Sequence, residues 1–574
     1  MSESSGKVEL SNKEKAMLFW ASFLALTAAG VGFVLRSLGG NTFWGSHFEI
    51  SDGQVSALFG AGLWPIAITM ILFSLLVDKI GYKVSMFCAF ALQALGAVLT
   101  IFAGTFEVMM AACLVSGLGH GIVEAVINPL CASIYREEKS KWLNILHASW
   151  PAGIVIGGVV WLTIFKGGDG MNWAGAAPAF WFMFIPVLAY GVMFGMCKKF
   201  PVDERVENNV PMSEMLKEFG GLGAFIAITF FSYEIFNQLV GYGVLAKDTF
   251  AGSLIFWPKQ LEICIILGLV GGLVFGGAIK AKGKILFFVL CIIMIPLATA
   301  EIATDGWIQA LMKPTMGKYA GWALVFSASI MMVLRFFAGI PLKYMSPPAL
   351  LLLSSVFSII GLFALAAVDG TLVWFAFVFY AVGQTFYWPT VLGFVSEQFP
   401  KGGAMTLNTV SAMGLLTVGI FGFAFLGTAK DAATVKFTEE KQPQLVQSVR
   451  ENNTTFKNKK GEEQKIIDQG DFFGVPYATI NVEEFKKLLP GEEAAKVAAA
   501  AELQTHLDQN VGRSVLRRAA LLPTIMAIAF ILIIFYYKSQ GGYKPVVLTK
   551  EEGGDGSDNK HDDPEGEPIP AVEL

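Results

Sequence analysis

Residues 114–134 read LVSGLGHGIVEAVINPLCASI, an apolar run with one carboxylic acid, Glu124, near its middle. No other acid, lysine or arginine occurs between Glu107 and Arg136. The run is about as long as an α-helix must be to cross a bilayer. A carboxyl at that depth is costly, and such groups face a bundle interior or a water-filled path. His120, Glu124 and Asn128 recur every four residues, so they line one face of a helix. The stretch reads as a membrane helix with a polar stripe, part of a path for a solute, a proton or both.

The rest of the chain has the same character. Of 574 residues, 54% are hydrophobic and 15% are charged, against about a quarter charged in soluble domains. The apolar residues fall into blocks of roughly 20. Spans are expected at 16–36, 54–77, 84–103, 107–134, 141–164 and 178–197, then at 220–242 and 258–280. Six more follow at 285–311, 319–342, 347–367, 372–398, 402–428 and 517–538, fourteen in all. The blocks are uniformly apolar rather than alternating, which fits helices that satisfy their own backbone in lipid. The six cysteines lie in or beside these blocks without metal-ligand spacing and read as small apolar packers. The polar start, Met1–Lys15, lacks the short apolar core of a signal peptide.

Lysine and arginine bias sets orientation. Basic loops at Lys79/Lys83, Arg136/Lys139/Lys141, Lys198/Lys199/Arg205, Lys280/Lys282/Lys284, Lys343 and Lys401 alternate with poorer ones. They place both termini in the cytoplasm of a multi-pass protein of the plasma (bacterial inner) membrane. Arg513, Arg517 and Arg518 run against that bias on the outer side, where a long loop obeys it weakly. The expected organisation is a first half at 1–197, a linker with two extra spans at 198–284, and five spans at 285–430. An extracytoplasmic, partly ordered insertion follows at 431–512, with helix over Val482–Leu507 apart from Pro490. The last span lies in 513–540 and a disordered acidic tail in 541–574.

The halves echo each other. Pro129 and Pro389 are 260 residues apart, and Asn144 and Asn408 are 264 apart. Such duplication puts a binding site between halves in many secondary transporters. It also sets Gln384 opposite Glu124, each five residues before its proline. One half then offers an ionisable group where the other offers an amide.

Candidate residues follow from these placements. Glu124 is a carboxyl that gains and loses a proton, and His120, one turn away, tunes or relays it. Asn128, Asn144, His147 and Asn408 are candidates for solute hydroxyls, and Asn128 could instead repair the kink at Pro129. Glu301 and Asp305 form a second acidic pair one turn apart, toward the outer end of their span. They read as solute contacts, because carboxylates accept from several hydroxyls, or as an interfacial helix end. Tyr380, Gln384 and Trp388 form another four-residue stripe, in which Gln384 and Trp388 suit a polyol. Asp78, Lys79, Gly81, Lys83 and Arg335 read as a cytoplasmic gate. Glu234 in the first extra span has no evident role.

The turn Asp78-Lys79-x-Gly81-x-Lys83 resembles the loop signature of the major facilitator superfamily, with Ser74 where glycine is usual. The stretch Gly117–Pro129, followed by Leu143-Asn144, is similar to the fucose–proton symporter branch. The resemblance implies an all-α membrane protein of the major facilitator fold, two six-helix halves plus two extra helices. It also implies proton coupling through Glu124. Three departures stand out: span one has no acid, His147 lies near an expected glutamine, and fourteen spans exceed the usual twelve. Two extra helices between halves resemble the peptide-transporter branch, whose Glu-x-x-Glu-Arg motif is missing from span one.

No Walker loop, His-Glu-x-x-His or nucleophile elbow occurs, so no enzyme and no direct ATP drive are expected. The expected function is proton-coupled uptake of a sugar or similar small polar solute by alternating access. The alternatives are an exporter or facilitator of another metabolite, and a non-transporting sensor that uses the insertion. The partners expected are a small solute, a proton and the bilayer, with no nucleic acid, no cofactor and no metal, in a monomer.

Overall fold

The computed structural model describes residues 10–548 apart from 49, 51, 242–243, 247–248, 251, 256 and 458–462. Each apolar block is helical, because lipid offers backbone groups no other partner. The first half comprises Asn12–His47, Trp64–Ile101, Phe106–Ile134, Lys139–His147 continuing through Ser149–Val159, and Phe184–Met196. The second comprises Ile285–Ala298 with Thr304–Met316, Ala320–Phe336, Pro347–Leu365, Leu372–Thr385 with Tyr387–Gln398, Gly403–Thr417, and Leu521–Ser539. Ser11 opens the first helix with a reciprocal cap: its hydroxyl accepts from the Glu14 N–H, and the Glu14 carboxylate accepts from the Ser11 N–H. Gly81 makes the turn between spans two and three at a φ of +80°, which only glycine adopts without strain.

Among the described residues, twelve helical stretches are long and apolar enough to cross a membrane, against the fourteen spans expected. Ile285–Phe336 forms one of the twelve and contains two expected spans. The expected span 372–398 breaks at Phe386 into two helices, each too short to cross alone.

The helices of the first half approach closely where side chains are absent. A Cβ added at Gly153 would lie 2.3 Å from the Thr27 carbonyl oxygen, and one at Gly30 would lie 2.5 Å from that of Trp150. Both obstacles are backbone and cannot rotate away. Gly153→Val is therefore expected to destabilise the protein by about 1–3 kcal/mol through overpacking, read as a lower melting temperature in detergent.

Between the halves, Met212–Gly241 and Lys259–Ile279 pair through Gly221, Gly272 and Gly276, and Met212–Gly241 packs beside Gly403–Thr417. Glu234 is buried there and accepts from Gln238 Nε2 at 2.6 Å.

The insertion is more ordered than its sequence implies. The helices Phe423–Lys441 and Glu493–Ala519 run out from the bundle side by side. They hold a small core of Val446, Val449, Phe485, Leu489, Leu503 and Leu507. Two antiparallel strand pairs complete it, Thr455–Lys457 with Glu463–Lys465 and Ile467–Phe472 with Val475–Ile480. The expected helix 482–507 is split: Val482–Lys486 ends before Pro490, and the chain resumes helix at Glu493. Phe473 and Gly474 form the second hairpin's two-residue turn, both at positive φ. That geometry favours Asn-Gly and costs a bulky residue. Phe473 is held there by its ring, stacked on Tyr233 of the first extra helix at 5.5 Å. Phe473→Asn should relieve the turn yet detach it from the extra helices. Faster proteolysis within the insertion is the expected readout.

The tail also departs from expectation. Residues 541–548 are described and dock on the bundle: Tyr543 donates to Glu397 at 2.6 Å, and the Val546 N–H donates to the Glu397 carbonyl at 2.9 Å. Residues 549–574 lie outside the described residues.

Candidate functional site

The Glu124 stripe lies inside the bundle. Glu124 is 5% exposed. Asn128 Nδ2 donates to its carboxylate at 2.8 Å and to its carbonyl at 3.1 Å. His147 Nε2 donates to Asn128 Oδ1 at 2.8 Å. His120 Nε2 lies 3.7 Å from the Glu124 carboxylate, and its ring stacks on Trp150 at 5.3 Å. His120, Glu124, Asn128 and His147 thus form one connected group.

Prolines decide what the rest of the site must satisfy. A proline lacks an N–H, so the carbonyl four residues before it loses its helical partner. Pro129 frees the carbonyl of Ala125, Pro151 that of His147, and Pro389 that of Thr385. Each of these buried acceptors has found a side chain. Asn408 Nδ2, from the second half, donates to the Ala125 carbonyl at 3.0 Å. Asn128 therefore does not repair the kink at Pro129; Asn408 does. Arg335 takes the other two, with Nη1 to the His147 carbonyl at 2.8 Å and Nε to the Thr385 carbonyl at 2.6 Å. Its remaining nitrogen donates to Glu301 at 2.8 Å.

Arg335, expected in a cytoplasmic gate, is 1% exposed and lies in the buried centre rather than among the exposed basic loops. It ties a kink in one half to a kink in the other and pairs with a buried acid between them. A fork of fixed donors serves three acceptors at once, which lysine cannot do. The sequence held the signal: no other charged residue lies between Lys318 and Lys343.

Glu301 sits in a π-helical turn, Thr299–Ala303, three residues after Pro296. Such turns leave carbonyls poorly served and occur often at functional sites. Gln384 Nε2 donates to the Ala300 carbonyl in this turn at 2.5 Å. One turn on, Asp305 accepts from Tyr380 at 2.8 Å. Glu301 and Asp305 are 5% and 8% exposed, which overturns the reading of an interfacial helix end. Trp388 lies over Gly414.

The remaining candidates fall in the seam between halves, at the end carrying the basic loops. Asn144 Nδ2 donates to the Ser140 carbonyl at 2.8 Å and to Thr390 Oγ1 at 3.2 Å. Asn408 Nδ2 also donates to Ser74 Oγ at 2.9 Å. Sequence reading missed two further seam residues: Lys139, which donates to Glu204 at 2.6 Å and to the Ser396 carbonyl at 3.3 Å, and Glu397, which accepts from the Ser140 N–H at 3.3 Å. Neither stands out among ordinary loop charges. Of the expected gate, Lys83 instead caps the end of Phe184–Met196 in its own half, donating to the carbonyls of Gly195 and Cys197. Lys79 is exposed, and the side chain of Asp78 lies outside the described residues. Asn408→Ala should leave the Ala125 carbonyl unpaired and cost about 1–3 kcal/mol, read in the same melting assay.

A family model described as Major Facilitator Superfamily matches residues 16–428. The chain belongs to the Major Facilitator Superfamily. Among curated members, the Minor myo-inositol transporter IolF of Bacillus subtilis (strain 168) is 24% identical over 143 residues, 24% of this chain. This superfamily chain spans about a third of that relative's length, 32%. Among solved structures, the proton:xylose symporter XylE aligns at 15% identity and TM-score 0.51, covering 72% of this chain and 89% of its own. A bacterial homologue of the human drug peptide transporters PepT1 and PepT2 aligns at 12% identity and TM-score 0.51, covering 92% and 99%. At these identities the two structures show the shared fold and nothing finer. The fold makes this superfamily member a multi-pass membrane protein.

Proposed function

We propose that the protein is a secondary active carrier that takes up a sugar or similar small polar solute with protons, by rocking its halves about the buried polar centre. One observation carries the reading. The centre spans both halves, from Glu124 through Asn128 and His147 to Arg335 and Glu301. Rocking must break the bond from Arg335 to the His147 carbonyl, so the centre exists in at least two states. Such two-state elements are what a proton and a solute can bias, each by its differential affinity. Gln384, Trp388, Asn128 and Glu301 supply amides, an aromatic face and a carboxylate for hydroxyl-bearing solutes. The names of two relatives, a myo-inositol transporter and a proton:xylose symporter, point to the same solute class.

The test is uptake of D-xylose, L-fucose and myo-inositol into proteoliposomes under an inward proton gradient. Accumulation of one of these, with proton entry, is the expected result. Solute movement that ignores the gradient would sink coupling, and binding of none of them would sink the solute class.

A further inference from the structure

We infer that Asp305 is a second proton-carrying carboxyl, in the half opposite Glu124, so that the carrier loads one proton in each half. The inference deepens the proposed function and rests on its proton coupling.

It starts from the charges buried in the centre. The carboxylates there are Glu124, Glu301 and Asp305, and the cation between the halves is Arg335. Arg335 is committed to Glu301 and to two carbonyls through all three of its nitrogens. Arg36, in the first span, donates to Ser116 within the first half. Glu124 then has His120, Asn128 and, through Asn128, His147. Among the described residues, Asp305 accepts from a phenol: Tyr380 on the neighbouring helix donates to Oδ1. The other charged or titratable groups facing it are Glu301, one turn back on its own helix, and Arg335. A buried charge must be paired or neutralised. For Asp305 no cation is left over, so neutralisation falls to a proton.

The hydrogen bonds around it make the same demand independently. Two acceptors there are buried without a partner: Oε2 of Glu301, and Oε1 of Gln384, one turn from Tyr380. Gln384 is 1% exposed. Neither of these two acceptors has a donor, and a buried acceptor left unpaired is costly. A proton on Asp305 Oδ2, the oxygen Tyr380 leaves free, turns an acceptor into a donor. Loss of that proton restores both the charge and the deficit, which disfavours the closed packing of this half. The group is therefore suited to load a proton when its half opens to water and to hold it when the half closes.

Infrared difference spectra of the purified full-length protein against pH test this without knowledge of the solute. A protonated carboxyl shows a carbonyl stretch that an ionised one lacks. Two such bands are expected to vanish as pH rises, one lost in Glu124→Gln and the other in Asp305→Asn. If Asp305→Asn fails to fold, Tyr380→Phe serves: it should shift the titration of the Asp305 band alone. The inference is overturned if Asp305→Asn leaves the spectrum unchanged. It is also overturned if its band persists at every pH at which the protein stays folded, or if sodium ions rather than protons abolish it. A missing Glu124 band with a titrating Asp305 band would instead count against the assignment of Glu124 and leave Asp305 standing.

Discussion

Glu124→Gln should remove one proton's share of gradient-driven accumulation while leaving solute counterflow intact. The amide keeps the size of the carboxyl and can still bond Asn128, so the packing of its helix with its neighbours survives. It cannot give up a proton, so solute crosses without the one Glu124 carries. One coupled proton at a pH difference of one unit contributes about 1.4 kcal/mol, or a tenfold accumulation ratio. In the variant the ratio should fall by that factor of about ten, to what the remaining proton on Asp305 drives. Paired measurements of uptake and counterflow in the same proteoliposomes decide it, and an accumulation ratio equal to that of the unaltered protein would remove Glu124 from the coupling step.

Arg335→Leu should be the most destabilising single change in the membrane domain. It strands Glu301 as an uncompensated buried charge, which costs about 3–5 kcal/mol. It also leaves the His147 and Thr385 carbonyls without donors, at about 1–3 kcal/mol each. The cause can be separated from general damage. Pro151→Ala and Pro389→Ala restore the missing N–H groups, so each should offset part of the loss. In a double-mutant cycle the coupling should be of order 0.5–3 kcal/mol. Purely additive losses would show that Arg335 does not serve the kinks. Arg335→Lys should rescue little, because an ammonium cannot reach three acceptors fixed in one plane.

Much of the architecture is legible in the sequence. Apolar blocks near 20 residues long gave the helices, and the Pro129/Pro389 echo gave the two halves. The stripe of His120, Glu124 and Asn128 also held, because helical spacing alone fixes which residues share a face. The insertion was underestimated because its order comes from a small core assembled from distant segments, Val446, Phe485 and Leu507 among them. The span at 372–398 hid its break, since hydropathy does not register a helix interrupted at Phe386.

By itself the sequence determined which segments enter lipid and which polar groups are carried to that depth, because the cost of burial there depends on residue type alone. It also determined that three prolines would leave three carbonyls bare. Only the tertiary structure decided who answers them. Arg335 and Asn408 do so across distances of 50 to 283 residues in sequence, and nothing local specifies such partners. A hydrogen bond between helices depends on how two kinked surfaces meet, and that is a property of the packed bundle rather than of either strand of sequence.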